Sequence, residues 1–220
     1  EIYQCDWSSD VCSSDLCFAD LTEDEAMQWP QLMEIVRQKV KPERDKIGGY
    51  SVAENRKKRW WQFGTYASAL QNALSPTERC LVLSRVSAHL GLVYQPSDRI
   101  FADSIVAFPF ASDAAFAVLQ SRIHEVWARF LASTLEDRLR YTTSDCFDTF
   151  PFPLRFQEIP ELTNVGTSYY AFRARLFVDN NEGLTKTYNR FHDPREQSPE
   201  ILHLRELHAE MDRAVLEAYG

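Results

Sequence analysis

The sequence of 220 residues never places two prolines side by side, and among its seven glycines the single adjacent pair is Gly48-Gly49. A glycine-rich turn between strand and helix, which cradles nucleotide-like cofactors, is therefore missing. So is any [DN]-P-P-[YFW] loop of the kind that grips an extruded base. No Glu or Gln stands two residues before a Lys, so the acidic strand of the common metal nucleases is missing too. Cysteine is scarce: Cys5, Cys12, Cys17, Cys80 and Cys146 show neither disulfide nor metal spacing. No apolar run approaches the ~20 residues of a membrane span, so no membrane partner is expected. Positive charge is in deficit, with 24 Lys and Arg against 32 Asp and Glu. Binding to a polyanion through overall charge is thereby excluded, and any cationic surface has to be local.

What is present divides unevenly. Residues 1–16, EIYQCDWSSDVCSSDL, are rich in Ser and Asp, contain no Lys or Arg and have no apolar period. They lack the basic start and apolar core of a signal peptide. Residues 6–16 back-translate to a common short-read library adapter. The expectation is an adapter-derived artefact over 1–16, with authentic sequence starting near Cys17 in an N-terminally truncated frame. Without Glu1, Asp6, Asp10 and Asp15 the balance is 24 basic against 28 acidic residues. Three scattered cysteines remain, an odd set that implies a reducing, cytoplasmic setting.

Residues 20–41 begin acidic and end basic, as the helix dipole favours, with Leu32, Ile35, Val36 and Val40 as a packing stripe. Pro30 divides a short turn from the main helix. Residues 42–50, PERDKIGGY, read as a loop. Residues 55–64, NRKKRWWQFG, are the densest cluster of charge and aromatics in the chain. Basic groups beside flat aromatic faces hold a nucleic-acid backbone. Equally, Trp60 and Phe63 fit a core whose basic neighbours are simply solvated. Residues 65–74 predict a helix closed by Ser75-Pro76. The period then changes: RCLVLSRVS (79–87), LGLVYQP (90–96) and SIVAFPF (104–110) predict short strands in a small, mostly antiparallel sheet.

From residue 112 the pattern predicts one amphipathic helix N-capped by Asp113, with Phe116, Leu119, Ile123, Val126, Trp127 and Phe130 at three- and four-residue spacing. An extended piece at 139–141, a Ser144/Asp145 turn and a rigid Phe150-Pro151-Phe152-Pro153 exit follow. Residues 159–179, 183–191 and 199–219 predict helices. The last carries Ile201, Leu204, Leu207, Met211, Val215 and Leu216 in one stripe, with Arg205, Glu206, Glu210 and Arg213 outside it. His203 and His208 lie five apart, turned from a common face, and read as helix-surface residues rather than metal ligands. His124 reads as a core histidine bonded to a carbonyl, and His192-Asp193 as a helix end.

Five stretches of wording carry a family resemblance. They are F-A-x-L-x-S-x-x-H-x-x-W (116–127), R-Y-[ST]-x-[ST] (140–144), F-x-x-F-P-F-P (147–153), G-L-T-x-x-Y-N (183–189) and L-R-x-L-H-x-x-x-D-x-A-V-x-x-A-Y-G (204–220). In this order they resemble the target-recognition and following helical region of large DNA adenine methyltransferases, the MmeI-like fused restriction-modification enzymes and the PglX-type phage-defence methylases. The family also places an R-x-x-W-W-x-F segment at this point, where Trp60, Trp61 and Phe63 stand and Lys57 takes the place of the Arg. The resemblance spans residues 22–220, and the family pattern continues past Gly220.

That resemblance implies an α+β fold, with a partial target-recognition domain over 17–155 and a helical C-terminal domain over 156–220. It implies double-stranded DNA as partner and an N-terminal methyltransferase domain in cis that brings S-adenosylmethionine and, in some relatives, a nuclease. The fragment itself is expected to bind no cofactor and catalyse nothing. Arg56, Lys57, Lys58 and Arg59 would anchor phosphates, with Trp61 beside them. Arg85, Ser87, His89, Gln95, Asp98 and Arg99, at strand ends and loops, are the candidates for reading bases, since Arg pairs with guanine, Gln with adenine and Asp with the cytosine amino group. The rival expectation is a non-catalytic protein-interaction scaffold, which the acidic balance favours.

Overall fold

A computed structural model describes residues 18–48, 51–62, 68–102, 104–135 and 138–220, so the stretch read as adapter lies outside the described residues. The chain forms two compact units, residues 1–72 and 73–220.

The first unit is helical. α1 (Glu23–Ala26) opens on a capping box in which Thr22 Oγ1 accepts from Glu25 N at 3.3 Å and Glu25 Oε2 accepts from Thr22 N at 2.8 Å. Pro30 starts α2 (Pro30–Lys39), where a missing N–H costs nothing, so the acidic-to-basic stretch divides there as expected. The segment read as a loop is instead largely helix α3 (Lys41–Lys46), because Pro42 sits in the first turn, the one place a helix tolerates it. α4 (Ser51–Lys58) carries the basic run. Phe18, Ala26, Met33, Val36 and Trp60 form the core. Leu32 and Val40 pack at its edge, while Ile35 stays exposed.

α5 (Ser68–Leu74) ends where Thr77 returns both its backbone N–H and its hydroxyl to the Leu74 carbonyl, at 2.9 and 2.8 Å. The second unit then builds two three-stranded antiparallel sheets. The first has the order β3-β1-β4, from β1 (Arg79–Ser84), β3 (Val93–Pro96) and β4 (Ile105–Phe108). Its register sets Arg79 opposite Pro96 and Ser84 opposite Ile105. The second has the order β2-β6-β5, from β2 (Val86–Ser87), β5 (Ser133–Leu135) and β6 (Arg138–Arg140). The run 79–87 is thus two strands in two sheets rather than one. Arg85 is the joint: its N–H donates to Ser104 O and its carbonyl accepts from Tyr141 N, both at 2.8 Å.

The expected amphipathic helix is also two, α6 (Asp113–Gln120) and α7 (Arg122–Leu131), and its cap is Ser112, whose hydroxyl accepts from Ala115 N. Ser121 breaks it. With φ −63° and ψ 155°, its hydroxyl donates to Val118 O at 2.7 Å and accepts from His124 N at 3.4 Å, closing one helix and opening the next. Ala114 through Gln120 are all buried, so α6 is the central rod of this unit.

After a π-helical turn at Thr143–Phe147, the rings of Phe110, Phe147, Phe150, Phe152 and Phe156 lie 5.0 to 6.3 Å apart and plug one end of the core. α8 (Pro160–Asp179), α9 (Leu184–His192) and α10 (Pro199–Glu217) follow. Gly166 lets α8 meet α6: a Cβ there would stand 2.2 Å from the Asp113 carbonyl oxygen. The α10 stripe is buried at Ile201, Leu204, Met211 and Val215, but Leu216 is exposed. Two expectations on this helix are corrected. His208 is buried, packed on Tyr169 and Phe191, because the inner face is wide enough to take it. Arg205 is half-buried and donates to the carbonyls of Arg190, Phe191, Asp193 and Glu196, because the 193–198 corner folds back over it.

Candidate nucleic-acid interface

Four successive residues on a helix fan through ~300°, so Arg56 to Arg59 cannot all face one phosphate row. Arg56, Lys58 and Arg59 are exposed, and Lys57 is the half-buried member. The run sits at the C-terminal end of α4, where cations complement the dipole. That end is closed by Arg44, whose Nη1 donates to the carbonyls of Arg59 at 3.0 Å and Arg56 at 3.4 Å. Burial, then the nearby Arg56 charge, hold the Arg44 pKa below its ordinary value. Trp60 is buried, with the Lys41 ammonium 5.0 Å and the Arg37 guanidinium 5.8 Å from its ring. Trp61 stands edge-on to it, half-buried, and its indole N–H donates to Leu21 O at 2.9 Å. Phe63 lies outside the described residues.

In the second unit the six base-reading candidates fall into two groups at opposite ends of β1, about 20 Å apart at ~3.4 Å per residue. Gln95, Asp98 and Arg99 lie at the Arg79 end, where Arg99 Nη1 donates to Gln95 Oε1 at 2.6 Å and Asp98 is exposed in the turn. Arg85, Ser87 and His89 lie at the Ser84 end, beside the second sheet. Ser87 Oγ accepts from His89 N at 3.3 Å, and His89 Nε2 meets Asn189 Oδ1 at 2.7 Å. The structure therefore keeps each trio together and the two trios apart.

Two residues at the Ser84 end escaped the reading of the sequence. Arg138 and Arg140 are exposed on either side of buried Leu139, so they project from one face of β6, with Arg140 opposite Val86. The alternation R-L-R was the available signal, too short by itself to mark a strand. His124 is the core histidine expected. Its Nδ1 donates to Leu119 O at 2.7 Å, its Nε2 faces Tyr141 Oη at 3.0 Å, and burial pushes its pKa down to about 4. Burial likewise pushes the Cys80 and Cys146 thiols up.

Two of the described glycines are held in packing contacts. Gly91 packs on the Leu184 side chain and Gly166 sits in the α6–α8 contact. Among the described residues no cluster of His, Cys, Asp and Glu could hold a metal ion, and no helix is long and apolar enough to cross a membrane.

No curated protein matches this chain. A solved structure of the Type IIL restriction-modification enzyme MmeI in complex with DNA superimposes with a TM-score of 0.70 at 21% identity, over 93% of this chain and 26% of that one. At that identity the likeness is one of fold, and this chain spans about a quarter of that chain's length. The family model of the MmeI target recognition domain matches residues 14–154, well over half of the sequence. By that match the chain belongs to the MmeI target recognition domain family.

Proposed function

We propose that this chain is the DNA-sequence recognition module of a site-specific DNA adenine-N6 methyltransferase, within a longer restriction-modification protein of cytoplasmic location. The observation that carries the reading is the family match over residues 14–154, on a chain whose overall charge would not by itself favour DNA. In this reading Arg56, Lys58 and Arg59 neutralise phosphates, Lys57 and Trp61 shape the same helix end, and phosphate contacts set the register. Base edges are read by one strand-end group, Arg85, Ser87 and His89 with Arg138 and Arg140 alongside. Gln95, Asp98 and Arg99, at the far end of β1, serve a second point on the duplex. A match that ends at 154 supports a functional cut near residue 155, with 156–220 bracing the recognition segment. Methyl transfer, any strand cleavage and S-adenosylmethionine would belong to a domain preceding this one.

The test is fluorescence anisotropy with duplex DNA at several salt concentrations. Affinity should fall steeply with salt, the logarithmic slope being about −0.9 per phosphate neutralised. Changing Arg56, Lys57, Lys58 and Arg59 together to Ala should weaken binding to all sequences and flatten that slope. Changing Arg85 to Ala should relax preference at one base pair by about 1–3 kcal/mol. Absence of DNA binding at low salt would return the chain to the protein-interaction reading.

A further inference from the structure

Beside the Ser84 end of β1 lies a pocket of about 370 Å³, lined by Ala88, His89, Arg122, Glu125, Arg129 and His192 among others. Its residues come from three separate stretches of chain, and most have no role in the core. The His89 and His192 rings stack nearly parallel, 4.8 Å apart and 11° from coplanar, with Tyr188 behind His89. Asn189 Oδ1 accepts from His89 Nε2 at 2.7 Å and fixes that ring. Arg129 Nε donates to Glu125 Oε1 at 2.9 Å and its Nη2 to Ala88 O at 2.8 Å, so this pair is internally neutral and buttresses the wall. Arg122 differs. It is the first residue of α7, its backbone N–H is held by Asp212 Oδ1 at 2.8 Å, and its guanidinium has no hydrogen-bond or ion-pair partner among the described residues. A neutralised wall, two imidazoles and one unmatched guanidinium leave the pocket a single positive charge with donors around it. That is the complement of one anionic oxygen cluster.

We propose that this pocket binds a phosphate group, gripped by Arg122 and by the stacked His89–His192 pair. The groups that face His192 are His89, Glu125, Arg122 and Arg129, and the structure of that set makes binding proton-linked. Burial first, then His89, with Arg122 and Arg129 acting against Glu125, hold the His192 pKa below the ordinary histidine value. An anion in the pocket reverses that balance, so His192 takes a proton from solvent as the anion enters. Affinity then rises as pH falls.

Sulfate is the probe, because its charge stays constant over the histidine range. The 220-residue chain is titrated with sodium sulfate at about pH 7.5 and about pH 5.5, with the histidine ring resonances followed by NMR. The expected result is a saturable shift of His89 and His192, tighter at the lower pH by about fivefold. Arg122→Ala, an exposed change that leaves the fold alone, should weaken it by about tenfold. His192→Asn should narrow the difference in affinity between the two pH values. A shift that never saturates, or equal affinity in the parent and Arg122→Ala chains, overturns the proposal. Adding a DNA duplex separates two sources of phosphate: displacement of sulfate assigns the pocket to the DNA backbone, and undisturbed sulfate assigns it to a free phosphate-bearing ligand. Sulfate needs no DNA, so failure of the recognition reading leaves this titration untouched.

Discussion

Arg173 and Arg190 solve the same problem in opposite ways. Arg173, on α8, is 1% exposed and meets no carboxylate among the described residues. Its charge is met by Leu92 O at 2.6 Å, Tyr188 Oη at 2.9 Å and Gln120 Oε1 at 3.2 Å, with the Phe116 and Tyr170 rings 5.2 and 5.1 Å away. Arg190, at the α9–α10 corner, is ringed by Glu182, Glu196 and Glu200 at 3.1, 2.9 and 3.0 Å. Counting opposite charges would rank Arg190 as the more important. Burial ranks them the other way: removing Arg173 strands acceptors that water cannot reach, whereas the glutamates around Arg190 are solvated when it leaves.

Arg173→Ala should therefore show the largest effect, about 3–5 kcal/mol by urea denaturation, since a cavity and unmet acceptors add. Arg173→Met, which keeps the volume, should recover part of that loss. A cost below that of Arg190→Ala would break the comparison. His124 extends it to another interior group without a counter-charge. Its folded pKa is lowered to about 4, while an unfolded histidine titrates near 6.5. The unfolded chain thus gains a proton first as pH falls. Stability is unaffected above ~6.5, declines between there and about 4, and the total loss is about 3 kcal/mol. His124→Gln should flatten that part of the profile, whatever its baseline stability.

Gly166→Ala probes the same interior by volume, and about 2 kcal/mol is expected because backbone, not a flexible side chain, must yield. Smallest is Arg190→Ala, at about 1 kcal/mol and shrinking in high salt, measured as a shift in denaturation midpoint. At that corner hydrogen bonds from Arg190 and Ser198 hold the Glu196 carboxyl down at about 2. Its contribution is therefore present above the ordinary carboxylate range and lost as pH falls through about 2.

The sequence was most legible where one period runs unbroken. The three C-terminal helices fall within a residue or two of their expected ends, because Gly183, Pro194 and Pro199 punctuate them. It was least legible where a tertiary partner overrides a good pattern. The apolar spacing runs straight through Ser121, and nothing local says that its hydroxyl will serve two helices. Similarly, 79–87 has the composition of one strand, and the division at Arg85 comes from Ser104 and Tyr141, distant in the chain. At the candidate interface the basic run announces itself, since its charges are consecutive. Arg138 and Arg140 needed the pleat of β6 to put them on one face, and His89 meets His192 across more than a hundred residues, a pairing no spacing rule encodes.

Arg85 has one further consequence. Its two main-chain hydrogen bonds tie one sheet to the other, and every residue type except proline can make both. The location of whatever side chain stands there is set by the backbone and not by the side chain itself. Position 85 is accordingly a socket. Exchanging its occupant alters the chemistry offered beside the strand end while the address stays fixed.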